Sequence, residues 1–215
     1  MFREDDTIVA VATPSGRGGL GVVRLSGREA RRIAAALIRH QPSLEPRHAM
    51  FARFVDRVPP ASGGLGDQVI VTFFPGPHSY TGEDVVEISA HGSPVLLRAV
   101  VESAMAEGAR LAEPGEFTLR AFLHGRIDLV QAEAVRDLID AVTPLQARAA
   151  YDQLEGTLTA EIAGVDRGLF DLTVRLEASL DFPDEGYHFV ESGEAAREIA
   201  GIISQLDQLL AGAVR

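Results

Sequence analysis

The chain has 215 residues, 46% of them hydrophobic, a formal charge of −11 and no cysteine. That is enough apolar material for one large or two small cores, and it excludes disulfide frameworks, zinc–thiolate centres and a cysteine nucleophile. All 20 basic residues are arginine, which excludes Schiff-base lysine chemistry and a phosphate-loop lysine, while the acidic balance argues against a main nucleic-acid surface.

Thr7 to Thr13 is short, apolar and β-branched and reads as a buried strand. Pro14 to Gly21 is a glycine loop, and Val22 to Leu25 reads as a second strand. Gly27 to His40 carries Ala30, Ile33, Ala34, Leu37 and Ile38 at helical spacing. After a loop from Gln41 to Arg47, Met50 to Val55 reads as a strand, Pro59 to Gly66 as a turn, and Asp67 to Phe74 as a strand. Pro75 to Gly82 is a loop, and Val85 to Ser89 is a strand ended by His91-Gly92. Ser93 opens a helix to Gly108 with Pro94 at its first position.

Glu113 to Ala141 is a junction between mixed strand and helix before it and helix alone after it. Pro114 suits the first position of a short helix on which Phe117, Ala121 and Phe122 share a face, and His124-Gly125 breaks that helix. Asp128 with Gln131 forms a cap pair for a second helix, with Val135, Leu138, Ile139 and Val142 as its apolar face. Thr143-Pro144 opens a long helical pattern through Leu154, Leu158, Ile162, Val165, Leu169, Leu172, Leu176 and Leu180. Continuous to Ser179, it would run roughly 50 Å at 1.5 Å per residue, with Gly156, Gly164 and Gly168 as places to bend. Asp181 to Val190 is a loop, and Ser192 caps a last helix carrying Ile199, Ile202, Leu206, Leu209 and Ala213. This order predicts an α+β domain over residues 1–112, with a mixed sheet, followed by an all-α segment over 113–215. No run of about 18 apolar residues suits a membrane span, and the acidic start MFREDDTIV is unlike a secretory signal. A cytoplasmic protein is expected.

Several groups could carry chemistry. Gly16, Gly18 and Gly21 match a dinucleotide fingerprint in form, but that motif needs a helix next, where Val22 to Leu25 reads as strand. Arg17 and Arg24 are there for an anion. Glu83, Asp84 and Glu87 suit either paired carboxylates or a hydrated loop. Glu87 shares a strand face with Val85; if that face meets solvent it is an ordinary strand residue, and if it faces a pocket it is a ligand group. The six histidines, His40, His48, His78, His91, His124 and His188, show no metal-ligand spacing.

Four blocks in order, Asp6 to Gly27, Phe74 to Gly92, Pro114 to Ala141 and Leu180 to Phe189, resemble the MnmE (TrmE) family of tRNA modification GTPases. The resemblance implies an N-terminal tetrahydrofolate-binding domain similar to that of the glycine-cleavage T-protein. It also implies that this domain forms a homodimer contact and leads into a central helical domain. The family's GTPase domain, with GTP, Mg2+ and K+, is expected beyond this chain, so the chain alone is expected to lack GTPase activity and to hold no catalytic residue or metal.

The implied folate site falls on Arg24, Glu87 and Arg126, for a 5-formyl or 5,10-methylene tetrahydrofolate. Arg126 stands where many members carry lysine, and His124 where asparagine is usual. A reduced pterin presents N–H donors that a carboxylate accepts, and the glutamyl tail offers carboxylates to arginine. The implied activity, with the FAD-containing partner MnmG (GidA), is installation of a 5-carboxymethylaminomethyl or aminomethyl group on the wobble uridine of tRNA. The alternative is a stand-alone folate-dependent aminomethyltransferase of the glycine-cleavage type.

Overall fold

Strands whose burial largely alternates organise the first half of the chain. In the computed structural model, which describes residues 6–39, 43–57, 66–181 and 192–213, six strands form one mixed sheet. They are β1 (Ile8–Val11), β2 (Gly18–Ser26), β3 (Met50–Val55), β4 (Gly66–Phe74), β5 (Val85–Gly92) and β6 (Arg110–Leu111), in the order β3-β4-β5-β2-β1-β6. Every pairing is antiparallel except that of β1 with β6. The expected turn at 59–65, the loop from 182 to 190, and His40 and His188 lie outside the described residues.

Directly opposed residues share a sheet face. The row Val9, Leu25, Val86, Phe73 and the row Val11, Val23, Ile88, Val71 therefore line one side. Helices α1 (Ala30–Ala36) and α2 (Pro94–Ala106) cover that side, burying Ile33, Ala34, Leu97 and Val100 against the strands. The other side carries the row Ile8, Ser26, Val85 and, beside it, the row Ala10, Arg24, Glu87, Thr72. Ile8, Ser26 and Val85 are fully buried, whereas the second row is half-exposed. The graded exposure leaves part of this second face open to solvent.

Several local expectations change. The first helix stops at Ala36, because Ile38 leaves it to bridge Phe54 at the sheet edge. β5 runs on through His91-Gly92; Gly92 lies opposite Gly18, and a Cβ there would come 2.6 Å from the Gly18 carbonyl oxygen. Arg110-Leu111 forms a strand that two residues are too short to announce. Pro114 is not the first helical residue: α3 (Glu116–Leu123) starts after Gly115, whose φ of 78° is left-handed, and Glu116 Oε2 accepts from the Glu113 amide at 2.8 Å.

Contacts divide the chain into two units, one to Ala132 and one from Glu133. The junction expected from sequence was at 112/113. Residues 110–126 contact the first unit because β6 pairs with β1 and Arg120 inserts among Asp6 and Glu83.

α4 (Leu129–Asp140) has its cap pair as expected, with reciprocal bonds between Asp128 and Gln131 at 3.0 and 2.9 Å. Its buried residue is Ala134, while Ile139 and Val142, expected on an inward face, are 78% and 86% exposed. The long helix is two: α5 (Pro144–Leu154), opened by a Thr143–Gln146 capping box, and α6 (Thr157–Asp181), with Gly156 between them at φ 81°. α7 (Ser192–Ala213) packs on α6, joined by ion pairs from Arg175 to Glu194 and Glu198. Along α6 only Val165 and Leu172 are buried. No described helix is long and apolar enough to cross a membrane.

Candidate functional site

Register brings Arg24 and Glu87 together. They are directly opposed on β2 and β5, 63 residues apart in the chain, and Arg24 Nε donates to Glu87 Oε1 at 2.9 Å while its NH2 group lies 2.8 Å from the same oxygen. Both Arg24 bonds fall on one carboxylate oxygen, so Oε2 of Glu87 accepts nothing among the described residues. The side chains are 26% and 30% exposed, which keeps the pair within reach of a ligand.

The Arg24 guanidinium lies within cation–π distance of two rings. Its central carbon is 5.2 Å from the centroid of Tyr80, on the loop before β5, and 5.7 Å from that of Phe117, on α3. Tyr80 Oη and Thr118 Oγ1 are hydrogen-bonded at 2.9 Å, which ties the loop to the helix. Neither aromatic was singled out from sequence: Tyr80 looked like one more loop residue, and Phe117 like part of a helical core face. Of that face only Ala121 is fully buried, and Phe122 is 38% exposed.

Arg126 sits apart from the pair. Just past α3, it donates its backbone N–H to the Ala121 carbonyl at 2.8 Å and is exposed. Its side-chain stem runs beside Gly82, whose φ is 82° and where a Cβ would lie 3.3 Å from Arg126 Cγ. The same loop, Pro75 to Gly82, thus presents Tyr80 to Arg24 and Gly82 to Arg126. His124 Nδ1 lies 2.7 Å from the Thr81 carbonyl oxygen and fastens the far end of that loop to α3.

The other candidate carboxylates take structural parts. Asp84 Oδ1 accepts from Gly76 N at 3.0 Å and closes the loop. Glu83 turns into a buried charge cluster with Asp6, Glu116, Arg110 and Arg120. Arg120, with 1% of its side chain exposed, donates to Asp6 Oδ1 at 2.5 Å, to Glu83 Oε1 at 3.1 Å and to Glu116 Oε1 at 3.2 Å. Arg110 bonds Asp6 and Glu116, each at 2.6 Å. Ser26 Oγ donates to Glu83 Oε2 at 2.6 Å, so the cluster lies beside the buried Ile8–Ser26–Val85 row. Burial raises the pKa of both Asp6 and Glu116, but the bonds from Arg110 and Arg120 outweigh it and hold both carboxyls below their ordinary values. Arg110 is raised by its bonds to Glu116 and Asp6, and Arg120 by its acids despite its burial.

Among the described residues no group of histidines and acids could hold a metal. The fingerprint glycines Gly18 and Gly21 lie within strand β2, not before a helix, so the dinucleotide geometry is absent there. What the Arg24 region offers is a carboxylate oxygen, a guanidinium, two aromatic faces and a second arginine. That donor set suits a flat, hydrogen-bonding heterocycle with an acidic tail.

Both units of the chain match known families. Residues 7–126 match the family described as the GTP-binding protein TrmE N-terminus, and residues 129–215 match the MnmE helical domain. The chain is 52% identical over 211 residues to a tRNA modification GTPase MnmE of Koribacter versatilis, covering 97% of this chain and 46% of that protein. It is 45% identical to the MnmE of Nitrosomonas eutropha over 214 residues, and 48% identical to that of Aromatoleum aromaticum over 205. These alignments take in 100% and 95% of this chain, and 46% and 44% of the relatives. The chain thus spans a little under half the length of the relatives it matches. Family matches over both units, with identity near one half along the whole chain, show that it belongs to the MnmE (TrmE) family of tRNA modification GTPases.

Proposed function

We propose that this chain is the folate-binding and dimerising part of a tRNA modification GTPase, with Arg24, Glu87 and Arg126 as its tetrahydrofolate ligands. The observation that supports the reading best is the Arg24–Glu87 pair. It occupies a half-exposed row of the sheet, with one carboxylate oxygen uncommitted and two aromatic rings within about 6 Å of the arginine.

When bound, the folate would supply the one-carbon unit, and the chain's residues would bind and orient it. Glu87 Oε2 accepts pterin N–H, while Arg24 holds the carboxylate in place. Arg126, on its flexible exposed stem, takes a tail carboxylate; its planar fork does this at least as well as the lysine of other members. The full activity belongs to a longer assembly: GTP hydrolysis with Mg2+ and K+ outside this chain, MnmG with its FAD, and tRNA as substrate, in the cytoplasm. A stand-alone aminomethyltransferase gains no support from the helical unit, which matches the MnmE helical domain.

Calorimetry with 5-formyltetrahydrofolate on wild type and Glu87→Ala tests the site. Removing one partner of a buried charged hydrogen bond costs about 2–5 kcal/mol, so affinity should fall on the order of thirty-fold or more. Equal affinity of the two proteins would falsify the assignment of Glu87.

A further inference from the structure

Tyr80 and Phe117 come from different elements, and each is held by its own framework. Three bonds brace the loop of Tyr80: Gly76 N to Asp84 Oδ1 at 3.0 Å, Ser79 Oγ to the Glu83 carbonyl at 2.5 Å, and an Arg47 bond to the His78 carbonyl. Arg120 anchors the helix of Phe117 in the buried charge cluster. Neither ring belongs to the hydrophobic core; Tyr80 is 37% exposed. The two rings share the Arg24 guanidinium, at 5.2 and 5.7 Å, and the Tyr80–Thr118 bond keeps the loop and the helix at a fixed separation around it.

Ordinary surface packing does not call for this. An arginine on a half-exposed strand has several rotamers, and a salt bridge alone holds it weakly. Two aromatic faces within about 6 Å restrict the planes a guanidinium can take, through cation–π attraction and shape together. In the observed orientation Nε and NH2 meet a single oxygen of Glu87, which leaves the other oxygen for a ligand. A guanidinium turned to grip both oxygens in a fork would compete with a ligand for that acceptor.

We infer that Tyr80 and Phe117 are positioning residues: they clamp Arg24 so that it binds Glu87 through one oxygen only, keeping the second as the ligand's acceptor. The inference rests on the folate reading for its binding readout, and a second readout is free of it. The first measurement follows the Arg24 Nε–H resonance by nitrogen-15 NMR in the ligand-free chain, assigned by its loss in Arg24→Lys. The second is calorimetry with 5-formyltetrahydrofolate.

In the wild type the Arg24 resonance should be shifted by the two rings and slow to exchange with water. Tyr80→Leu and Phe117→Leu should each remove the ring shift, speed exchange, and weaken folate binding about five-fold, the size of one cation–π contact. Tyr80→Phe, which keeps the ring and gives up the Thr118 bond, should stay close to wild type in both. An Arg24 resonance and an affinity unchanged in both leucine variants would overturn the inference. So would a Tyr80→Phe variant as impaired as Tyr80→Leu, because the hydroxyl and not the ring would then be the operative group. If the wild type binds no folate, the ligand reading fails and the NMR result alone decides the clamp.

Discussion

Replacing Arg120 with methionine keeps the apolar stem and removes the guanidinium charge from a site where only 1% of the side chain reaches solvent. The consequence can be worked acid by acid. Glu116 would keep Arg110 at 2.6 Å, and Asp6 would keep the same arginine at 2.6 Å. Glu83, 13% exposed, would keep only the Ser26 hydroxyl at 2.6 Å and lose its countercharge. Breaking a buried pair by removing one partner costs about 3–5 kcal/mol; with two of three acids still paired, the lower end applies, about 3 kcal/mol. At a urea dependence of about 2 kcal/mol per molar, the unfolding midpoint of the first unit falls by roughly 1.5 M. Hydrogen exchange of the α3 peptide, residues 116–123, read along a urea series at pH 7, isolates that unit. Adding Glu83→Gln should recover part of the loss by removing the stranded charge. An unchanged midpoint in Arg120→Met, or a double variant weaker than the single one, would refute the reasoning.

Acid should act on the same cluster. Asp6 and Glu116 have depressed pKa values in the fold, so their contribution to stability is fully present above the ordinary carboxylate range and is lost as pH falls through the folded-state values. Urea midpoints of the first unit between pH 7 and pH 3 should therefore decline below about pH 4, and less steeply in Arg120→Met, whose acids are less depressed. Gly156→Ala places a side chain at φ 81° and should cost about 1–2 kcal/mol, seen as faster exchange at the α5–α6 joint with α2 unaffected. Light scattering on the chain at tens of micromolar should give twice the monomer mass if the first unit dimerises; a clean monomer contradicts that part of the proposed function.

The elements that packing dictates were legible. β-branched runs gave β1, β4 and β5, the Asp128–Gln131 pair capped its helix, and Thr143-Pro144 opened the next one where expected. Elements decided by distant partners were not. β6 exists because its two residues lie against β1, and α1 stops short because Ile38 is needed at the sheet edge. Gly156 was read as a weak point and is a full break, since its left-handed backbone ends one helix and starts another. For the site, resemblance named Arg24, Glu87 and Arg126, but the cross-strand register that opposes the first two could not be seen in residues 63 apart. Arg120 looked like any helical arginine; its burial depends on Asp6, 114 positions away.

The two arginine clusters on this face of the sheet divide the work by depth. The Asp6–Glu83–Arg120 cluster is buried beside the Ile8–Ser26–Val85 row, with each acid bonded to at least one arginine and no oxygen of Glu83 left over. Such a network fixes geometry: it holds the N-terminal strand, the Pro75 to Gly82 loop and α3 in one arrangement. One row outward, Arg24 and Glu87 are half-exposed, and a pair at that depth adds little to stability. Its acceptor oxygen is uncommitted, and its arginine is enclosed by the elements that the deeper cluster immobilises. Rigid, mutually paired charge beneath and an oriented pair with a free acceptor above is the order a binding site requires, because a ligand gains most from groups whose positions are set before it arrives. The same order explains why the loop and α3 carry so much polar bonding for elements outside the core: their task is to keep two rings and one arginine in register with Glu87.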